Sequence, residues 1–589
     1  MNAVHGNFLK RVQFLDSLMN EPSPTAVPQS QARLPSWPIA LGLSVLASLA
    51  LLLPFFWLGS ASGHDFEFHV ASWLDVAHQW KQGVLFPRWT AWTNFGFGEP
   101  RFIFYPPVSW ILGAALSLLL PISWVPGAFV LLTQTLAGMS AFFLLRRLVG
   151  KAPAYLGTAF YAANPYALLI SYVRSDFAEQ LACAIFPLLL LAALRLGGLL
   201  GREKPKRPAI ALFAVTFAAV WLCNAPAGVI ASYSVALLFV WAALTQRSWK
   251  VALRAIGGLA LGFGLAGFYL LPAAYEQRWV NIGQALSSGL LPAQNFLFTR
   301  IADVEHTWFN WISSLCALAL ILLAAMTAFA SRRFGNNTDS SSASKPLWVA
   351  LLLLGAVATL MMFPLTASLW SLLPKMRFVQ FPWRWMSIVA VVCSCFLAAA
   401  IERRRGWLWF VLVAILSFPL GYFLTQNTWW DPDEMSTQFA AIKSGTGYEG
   451  VDEYDPLGDD HLDLPKHAPL ANILPDSSKN PRGKPPNAKI QIELWRTDNH
   501  KVFVESSGQA LVALRLLNYP AWQVTVNGKT VTPEKPDDLD QMLVPIEAGK
   551  SEIQVRFVST KDQAAGIALS IVSLLFAAGS LSPRKSLKV

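Results

Sequence analysis

Long apolar stretches recur along this 589-residue chain, and short polar segments separate them. Their lengths lie near the ~17 to 25 residues that a helix needs to cross a bilayer. The pattern predicts spans at 39–59, 126–145, 154–172, 180–200, 209–223, 226–244, 251–272, 308–330, 346–364, 384–401, 407–424 and 565–581. One further apolar stretch, 107–122, lies between prolines. The chain is therefore predicted to be a polytopic α-helical membrane protein with about 12 to 13 spans.

A polar region at 425–563 separates the last two predicted spans, and its second half has the pattern of β-strands. From Lys489 onward, apolar and polar residues alternate, and the pair Asn527-Gly528 is a typical two-residue hairpin turn. We predict a small β-sandwich that begins at about 489. The preceding stretch, 431–488, is rich in Pro, Asp and Gly and is predicted to be an ordered loop or linker.

Composition and charge exclude two broad classes of protein. Charged residues make up 14% of the chain, against about 25% in ordinary soluble proteins, which excludes a soluble enzyme. The net charge of +11 could indicate a nucleic-acid partner, but the region 425–563 carries 21 acidic and only 14 basic residues. The basic excess therefore belongs to loops between spans, where positive charge marks the cytoplasmic side, and no nucleic-acid partner is expected.

The positions of the basic clusters predict the topology. If 107–122 is a re-entrant or surface helix, every basic cluster falls on one side of the membrane; if it spans, the N-terminal tail and all later clusters take opposite sides. We expect the first arrangement, with a cytoplasmic tail at 1–38, a transmembrane module at 39–424, and the last span with a cytoplasmic tail at 564–589. Loops 60–125, 171–179, 273–307 and 365–383 and the domain 425–563 are then extracytoplasmic.

The first long loop opens with two carboxylates, Asp65 and Glu67, directly after the first span. Apolar residues then recur at helical spacing, while Glu67, Asp75 and Gln79 take the other side, which predicts an amphipathic helix in the membrane surface. The apolar residues are Phe66, Val70, Trp73, Leu74 and Ala77. An acidic pair at this place can hold a divalent ion such as Mg or Mn, or accept a proton from an acceptor hydroxyl. The alternative is that Asp65 caps the helix and Glu67 favours its N-terminus.

Two more polar clusters lie on the predicted extracytoplasmic side. Asp176 and Glu179 have the spacing of a capping box, which leaves the nearby Arg174 unexplained. Arg377 and Arg384 lie among aromatic residues at a span boundary, against the positive-inside trend. Arginines there suit a phosphate, although simple interfacial anchoring is the alternative.

Cysteine and histidine patterns offer little chemistry. All five cysteines lie within apolar runs or at their ends, so no disulfide framework or zinc site is expected; they are Cys183, Cys223, Cys316, Cys393 and Cys395. The spacing of His64, His69 and His78 fits no common zinc motif.

The chain has a carboxylate pair after the first span, an amphipathic first-loop helix, an acidic second loop and a C-terminal extracytoplasmic domain. In this combination it resembles the GT-C superfamily of polyprenyl-phosphate-sugar glycosyltransferases. Within it, the chain is most similar to bacterial membrane proteins described as 6-pyruvoyl-tetrahydropterin synthase related. The stretches that carry this resemblance are 172–179, 380–384 and 518–528. The sequence departs from the pattern at Ser175, where glycine is expected, and at 452–456, where a Glu-Tyr-Leu-Pro type sequence is expected. The pterin label implies no pterin chemistry, because that soluble zinc enzyme cannot be built from these spans.

The resemblance implies inverting transfer of a sugar from a membrane polyprenyl-phosphate carrier, in a bacterial-type inner (plasma) membrane, to a glycan, lipid or protein acceptor at the extracytoplasmic face. Asp65 would be the general base or a metal ligand, with Glu67 and Asp176 in support. Arg174, Arg377 or Arg384 would neutralise the departing phosphate, and Glu179 would help to bind substrate.

Two other functions stay open. A transporter usually has ionisable groups within its spans and repeated halves, whereas here the acids lie at the outer ends of the spans. A non-catalytic protein of cell-envelope glycan assembly or binding is excluded by nothing in the sequence.

Overall fold

The structure is a computed structural model that describes residues 36–200, 207–333, 345–403, 406–430, 433–457, 464–475, 484–534 and 541–581. Most of the predicted tail at 1–38 and the last eight residues of the chain lie outside this range. In the described part, the helices of ten or more residues are α1 (Trp37–Leu52), α2 (Phe66–Lys81), α3 (Pro107–Leu119), α4 (Val125–Leu145), α5 (Lys151–Ala162), α6 (Phe177–Leu196), α7 (Arg207–Cys223), α8 (Ala225–Gln246), α9 (Trp249–Leu265), α10 (Gly267–Glu276), α11 (Val304–Arg333), α12 (Lys345–Leu360), α13 (Met386–Arg403), α14 (Gly406–Gln426), α15 (Glu434–Lys443) and α16 (Lys561–Leu581).

Within the described residues, six helices are long and apolar enough to cross a membrane, or up to eight if each of two bent helix pairs is one span. Each span predicted from the sequence overlaps at least one of the helices α1 to α16. The last helix, α16, exposes large apolar side chains such as Leu575 and Phe576, as a helix surrounded by lipid does. The prediction of a polytopic helical membrane protein is confirmed.

Two predicted apolar segments have a more specific shape in the structure. The span predicted at 154–172 is interrupted, because α5 ends before Asn164-Pro165 and a π-helix, Ile170–Arg174, follows. Proline lacks the N–H that a continuous helix requires. The stretch 107–122 forms the 13-residue α3, which is about 20 Å long and shorter than a hydrocarbon core of about 30 Å. This length fits the predicted re-entrant or surface helix.

The C-terminal region contains two antiparallel sheets that share one apolar core. The strands are β1 (Ala471–Leu474), β2 (Ala488–Arg496), β3 (Asn499–Ser506), β4 (Ala510–Leu517), β5 (Trp522–Val526), β6 (Lys529–Thr530), β7 (Gln541–Ile546) and β8 (Gly549–Phe557). They are ordered β1-β4-β7 and β2-β3-β8-β5-β6. Val504, Val512, Val544 and Val555 from both sheets lie in the same buried cluster. The predicted hairpin is present, with the turn residue Asn527 at φ 51°.

The stretch 431–488 is more regular than its composition suggests. It contains α15 and the edge strand β1, which pairs with β4 through Ile473 and Val512. The loop prediction failed here because four residues of strand carry too little periodicity to stand out among prolines and glycines.

Helix α2 is buried on both sides and does not have the exposed polar face expected of a surface helix. Asp75 and Gln79 are buried; Gln79 donates to Asp75 and to the carbonyl of Trp89, both at 2.8 Å. Asp75 also accepts from the backbone N–H of Ala91 at 2.7 Å. Burial raises the pKa of Asp75 to about 6. The polar side of α2 therefore holds the first loop in place.

The first loop also contacts the region before the sheets. Glu99 pairs with Arg101 at 2.6 Å and accepts from the backbone N–H of Val451 at 3.0 Å; Glu99 and Arg101 are buried, and Val451 is half-buried. Asn94 donates to Asp455 at 2.8 Å. Trp89 and Phe97 of the same loop lie in the core that the two sheets share. The first loop and the C-terminal region thus pack as one structure next to the start of α2.

Candidate active site

Asp65 and Arg174 lie 109 residues apart in the chain and form an ion pair. An Arg174 Nη2–H donates to Asp65 Oδ2, and the backbone N–H of Asp65 donates to the Arg174 carbonyl at 2.9 Å. Asp65 directly precedes α2, yet its side chain makes no capping hydrogen bond. The carboxylate keeps 29% of its surface exposed, whereas the Arg174 side chain keeps 7%. Asp65 is therefore directed to a cation and remains open to a ligand.

Local backbone features bring the two segments together. The π-helix ends at Ser175, which adopts the left-handed conformation with φ 50°. The Ser175 hydroxyl accepts from the Gly63 N–H at 3.0 Å and donates to the Ala61 carbonyl at 2.8 Å. A Cβ atom at Gly63 would lie 2.4 Å from the Val173 carbonyl oxygen, so only glycine fits. Single-turn π-helices of this kind occur frequently at functional sites.

Asp176, Glu179 and Arg384 form a second charged group behind this pair. Arg384 Nη2 lies 3.3 Å from Asp176 Oδ2, and its Nε lies 3.0 Å from Glu179 Oε2. The three side chains are 6%, 3% and 1% exposed, in the order Arg384, Asp176, Glu179. Asp176 also caps α6 by accepting from the Glu179 N–H at 2.9 Å, but Glu179 accepts from the hydroxyl of Tyr166 and does not complete a capping box.

An aromatic wall joins the two arginines. The Arg174 guanidinium carbon lies 5.1 Å from the Phe381 ring centre and 5.7 Å from that of Trp383. The Arg384 guanidinium lies 4.9 Å from the Phe381 ring. Gln380, with φ 63°, precedes this wall and donates to the Ala285 carbonyl at 2.8 Å. Aromatic faces stabilise guanidinium groups and leave their edges free for hydrogen bonds.

His69 belongs to this cluster although only a zinc role was considered for it from the sequence. Its Nε2 lies 3.7 Å from Asp176 Oδ1, too far for a hydrogen bond, and has no hydrogen-bond partner among the described residues. The side chain is buried and packs edge-on against Phe177 at 5.4 Å. Because His69 is four residues after Asp65, the helical period places both on one face of the segment. This period is the signal that could have identified it.

Glu67 and Arg377 do not join the cluster. Both side chains are exposed, and neither forms an ion pair within the part of the chain that the structure describes. The cluster therefore consists of five of the seven residues selected from the sequence, together with His69. Those five are Asp65, Arg174, Asp176, Glu179 and Arg384.

The pKa values of the two aspartates shift in opposite directions. Burial raises the pKa of Asp65 above its usual range, and Arg174 only partly opposes this shift. Burial also acts to raise the pKa of Asp176, but His69 and Arg384 lower it below its usual range. Two carboxylates separated in this way can take different roles, one exchanging a proton and the other staying ionised.

The described carboxylates of the cluster do not surround a common point. In the described ranges, no group of three or more His, Cys, Asp or Glu side chains is arranged to hold a metal ion. The carboxylate of Asp65 faces a guanidinium, Asp176 faces another, and Glu67 points elsewhere. Mg and Mn ions require several oxygen ligands around one point. The Mg or Mn expectation stays a prediction.

The fold and the cluster define a class: a polytopic helical membrane protein with a charged site where several helices begin, beside a first loop that packs on C-terminal sheets. A family model described as the 6-pyruvoyl-tetrahydropterin synthase related domain, a membrane protein, matches residues 102–427. The match covers more than half of the chain, and the chain belongs to this family. Arg174, Asp176, Glu179 and Arg384 lie inside the matched segment, whereas Asp65 precedes it.

No curated protein sequence matches the chain. Solved structures similar to it include two cryo-EM structures of a mutant of the mycobacterial arabinofuranosyltransferase AftD. One is 17% identical, covers 69% of this chain and 30% of its own, and has a TM-score of 0.38. The other is 15% identical, covers 88% and 41%, and has a TM-score of 0.40. The chain thus spans less than half the length of either structure.

Proposed function

We propose that this protein is a GT-C-type glycosyltransferase that transfers a sugar from a polyprenyl-phosphate carrier to an acceptor hydroxyl at the extracytoplasmic face of the membrane. The observation that carries the proposal is the convergence of Asp65, Arg174, Asp176 and Arg384 from three helix starts that are distant in sequence. Such a cluster supplies both a proton acceptor and fixed positive charge, and sugar transfer from a phosphate requires both.

Asp65 is the general base in this proposal. It is the most exposed carboxylate of the cluster, and its raised pKa brings it closer to the value at which a base works best near neutral pH. Asp176 stays ionised and holds Arg384 in position. Glu179, one turn further along α6, also holds Arg384 in position.

Arg174 is the proposed phosphate ligand. Its Nε has no hydrogen-bond partner among the described residues, and its guanidinium already lies against an aromatic wall. By contrast, Arg384 directs its nitrogens to Asp176, Glu179 and the Val379 carbonyl. Arg174 can therefore turn from Asp65 to an arriving phosphate, which frees Asp65 to accept a proton.

The transfer step balances without another reactant. The acceptor hydroxyl gives its proton to Asp65 and its oxygen forms a bond to the anomeric carbon. The bond from that carbon to the phosphate oxygen breaks on the opposite face, and its electron pair leaves with the polyprenyl phosphate, which Arg174 neutralises. Proton transfer by a positioned carboxylate is worth about 10² to 10⁴ in rate.

A transfer assay tests the catalytic role. Proteoliposomes with the full chain receive short-chain polyprenyl-phosphate sugars, each labelled in the sugar, and an envelope fraction from cells that lack the protein as acceptor. We expect label in the envelope material and an Asp65→Asn rate lower by about 10² or more. Glu67→Gln, on the exposed side of the same helix, is the matched control and should keep the wild-type rate. No transfer from any donor, or full activity of Asp65→Asn, would refute the proposal.

Thiol labelling in whole cells tests the proposed face. Cysteines introduced at the exposed Ser288 and Ser507 should react with a membrane-impermeant reagent. A cysteine at Thr245, which is exposed at the end of α8 beside a basic cluster, should react only after the cells are opened. The native cysteines are a low background because four are buried and Cys183 is partly so. The reverse labelling pattern would place the site on the cytoplasmic face.

A non-catalytic role in glycan binding is the second proposal, and the resting contact between Arg174 and Asp65 favours it. A charge pair of this kind can serve purely to hold two segments together. In that case Asp65→Asn and Arg174→Gln should alter stability without any transfer activity to lose.

A further inference from the structure

A cleft of about 210 Å³ opens between the first loop and the β region. Residues from the end of α2, from the irregular segment that follows it and from β2, β3 and β4 line the cleft. Among the described lining residues there is no Asp or Glu, and several are aromatic. These features differ from those of the charged cluster described above.

The cleft is separate from that cluster. His78 lines the cleft and lies on α2, the helix that Asp65 precedes. Thirteen residues of helix separate the two, which is about 20 Å along the helix axis. A molecule in the cleft would therefore not contact Asp65 unless it were an extended chain.

Two indole rings give the cleft its apolar surface. Trp92 and Trp495 both line it and are only partly buried. Trp92 packs on His78 with ring centres 4.8 Å apart, and Trp495 packs on His500 at 4.3 Å. An indole that is held by one neighbour and keeps part of its surface open offers a rigid apolar plane for a ring-shaped ligand.

His500 supplies an unpaired polar group at the same place. It is 3% exposed, and neither ring nitrogen has a hydrogen-bond partner in the described part of the chain. Burial lowers the pKa of His500 to about 3, so the imidazole is neutral and carries one donor and one acceptor. Buried polar groups are normally paired, and a hydroxyl group pairs with both kinds of nitrogen.

The two arginines of the cleft already contact oxygen atoms of the protein. Arg515 donates to the carbonyls of Phe95 and Gly445, the latter at 2.9 Å. Arg496 donates to the carbonyl of Gln82, and its guanidinium lies 4.0 Å from the carboxylate of Asp498. Because each guanidinium already contacts oxygen atoms of the protein, His500 is neutral and no described acidic residue lines the cleft, the cleft suits a neutral hydroxylated ligand better than a phosphate or a metal ion.

We propose that this cleft binds a saccharide unit of a glycan chain, with the ring faces on Trp92 and Trp495 and the hydroxyls on His500. One sugar ring fits the volume, and the open side lets the chain continue outside. The proposal does not depend on transfer activity, because it concerns binding alone.

Binding of the full chain to an array of defined oligosaccharides of neutral hexoses and pentoses tests the proposal. The protein is kept in lipid nanodiscs, since maltoside detergents carry a sugar headgroup that would compete. We expect wild type to bind at least one oligosaccharide, and Trp92→Ala and Trp495→Ala to bind it at least about tenfold more weakly, as expected for loss of a ring contact. Trp124→Ala, a change at an exposed tryptophan outside the cleft, should bind like wild type.

His500→Phe separates a binding role from a packing role. Phenylalanine keeps the ring between Trp495 and Trp522 but removes both nitrogens. It should fold at least as well as wild type and still bind more weakly. No binding by wild type, or equal binding by wild type and all three cleft variants, would overturn the proposal. Asp65→Asn should bind normally, so failure of the catalytic proposal would not affect this result.

Discussion

Replacement of Arg384 by glutamine tests whether the buried charge network is structural. The guanidinium makes contacts of 3.0 Å to Glu179, 3.3 Å to Asp176 and 2.9 Å to the Val379 carbonyl. Glutamine offers only two N–H donors at one point and no charge. Both carboxylates, 1% and 3% exposed, would then lose their fixed cation.

The expected cost follows from this burial. Removal of one partner of a buried ion pair costs about 3 to 5 kcal/mol, mainly because the remaining charge is buried without compensation. At roughly 2 °C per kcal/mol for a large domain, the melting temperature should fall by about 5 to 10 °C. A second change, Glu179→Gln, removes one of the two carboxyl groups that lose this cation and should recover part of the loss.

A thiol-reactive fluorescent dye measures the transition directly. Four of the five cysteines are buried in the folded chain and Cys183 is partly buried, so the dye signal rises as helices separate. Arg377→Gln is the control, because Arg377 is exposed and forms no ion pair within the described residues. If Arg384→Gln melted within about 1 °C of wild type, the buried charge network would not contribute to stability and its structural role would be refuted.

Two further predictions concern the contact between Asp65 and Arg174. Arg174 lowers the pKa of Asp65 against the larger effect of burial, so Arg174→Gln should raise that pKa further. The acidic limb of the pH profile of kcat/KM should then move to higher pH, and Arg174→Lys should move it less. A limb that does not move would exclude Asp65 as the base. Gly63→Ala places a Cβ 2.4 Å from the Val173 carbonyl oxygen. It should lower the free energy of unfolding by about 1 to 3 kcal/mol, measured in a thermal melt, and should also reduce activity. Gly127→Ala, whose Cβ meets nothing within 4 Å, should be neutral.

Much of the fold could be predicted because its signals are long and repetitive. Apolar runs of span length and the alternation around Ile553 and Val555 mark helices and strands without help from distant residues. The prediction failed where structure depends on distant partners. Asp75 and Gln79 were expected on an exposed face, but backbone groups of the first loop pair with both and allow their burial. The helical period of a sequence does not indicate which distant loop groups will pair with its polar side chains.

Part of the candidate site could also be predicted, because its charged residues give a local signal in the sequence. Asp65, Arg174 and Asp176 stand out because charged residues beside apolar runs are rare. Glu67 was selected with Asp65 because the two are close in sequence, although residues two apart on a helix do not share a face. His69, four residues from Asp65, does share that face and lies in the cluster. Helical spacing from Asp65 therefore identifies a member of the cluster better than closeness in sequence does.

The departure at Ser175 shows how the chain keeps its site geometry with different residues. A non-glycine residue in the left-handed region costs about 1 to 3 kcal/mol. The Ser175 hydroxyl makes two hydrogen bonds, to the Gly63 N–H and the Ala61 carbonyl, and bonds of this kind contribute about 0.5 to 1.5 kcal/mol each. The two quantities are similar, so serine can adopt the conformation that the resemblance assigns to glycine. It also fastens the segment before Asp65 to the segment that carries Arg174, and this contact keeps Asp65 and Arg174 in reach of one another.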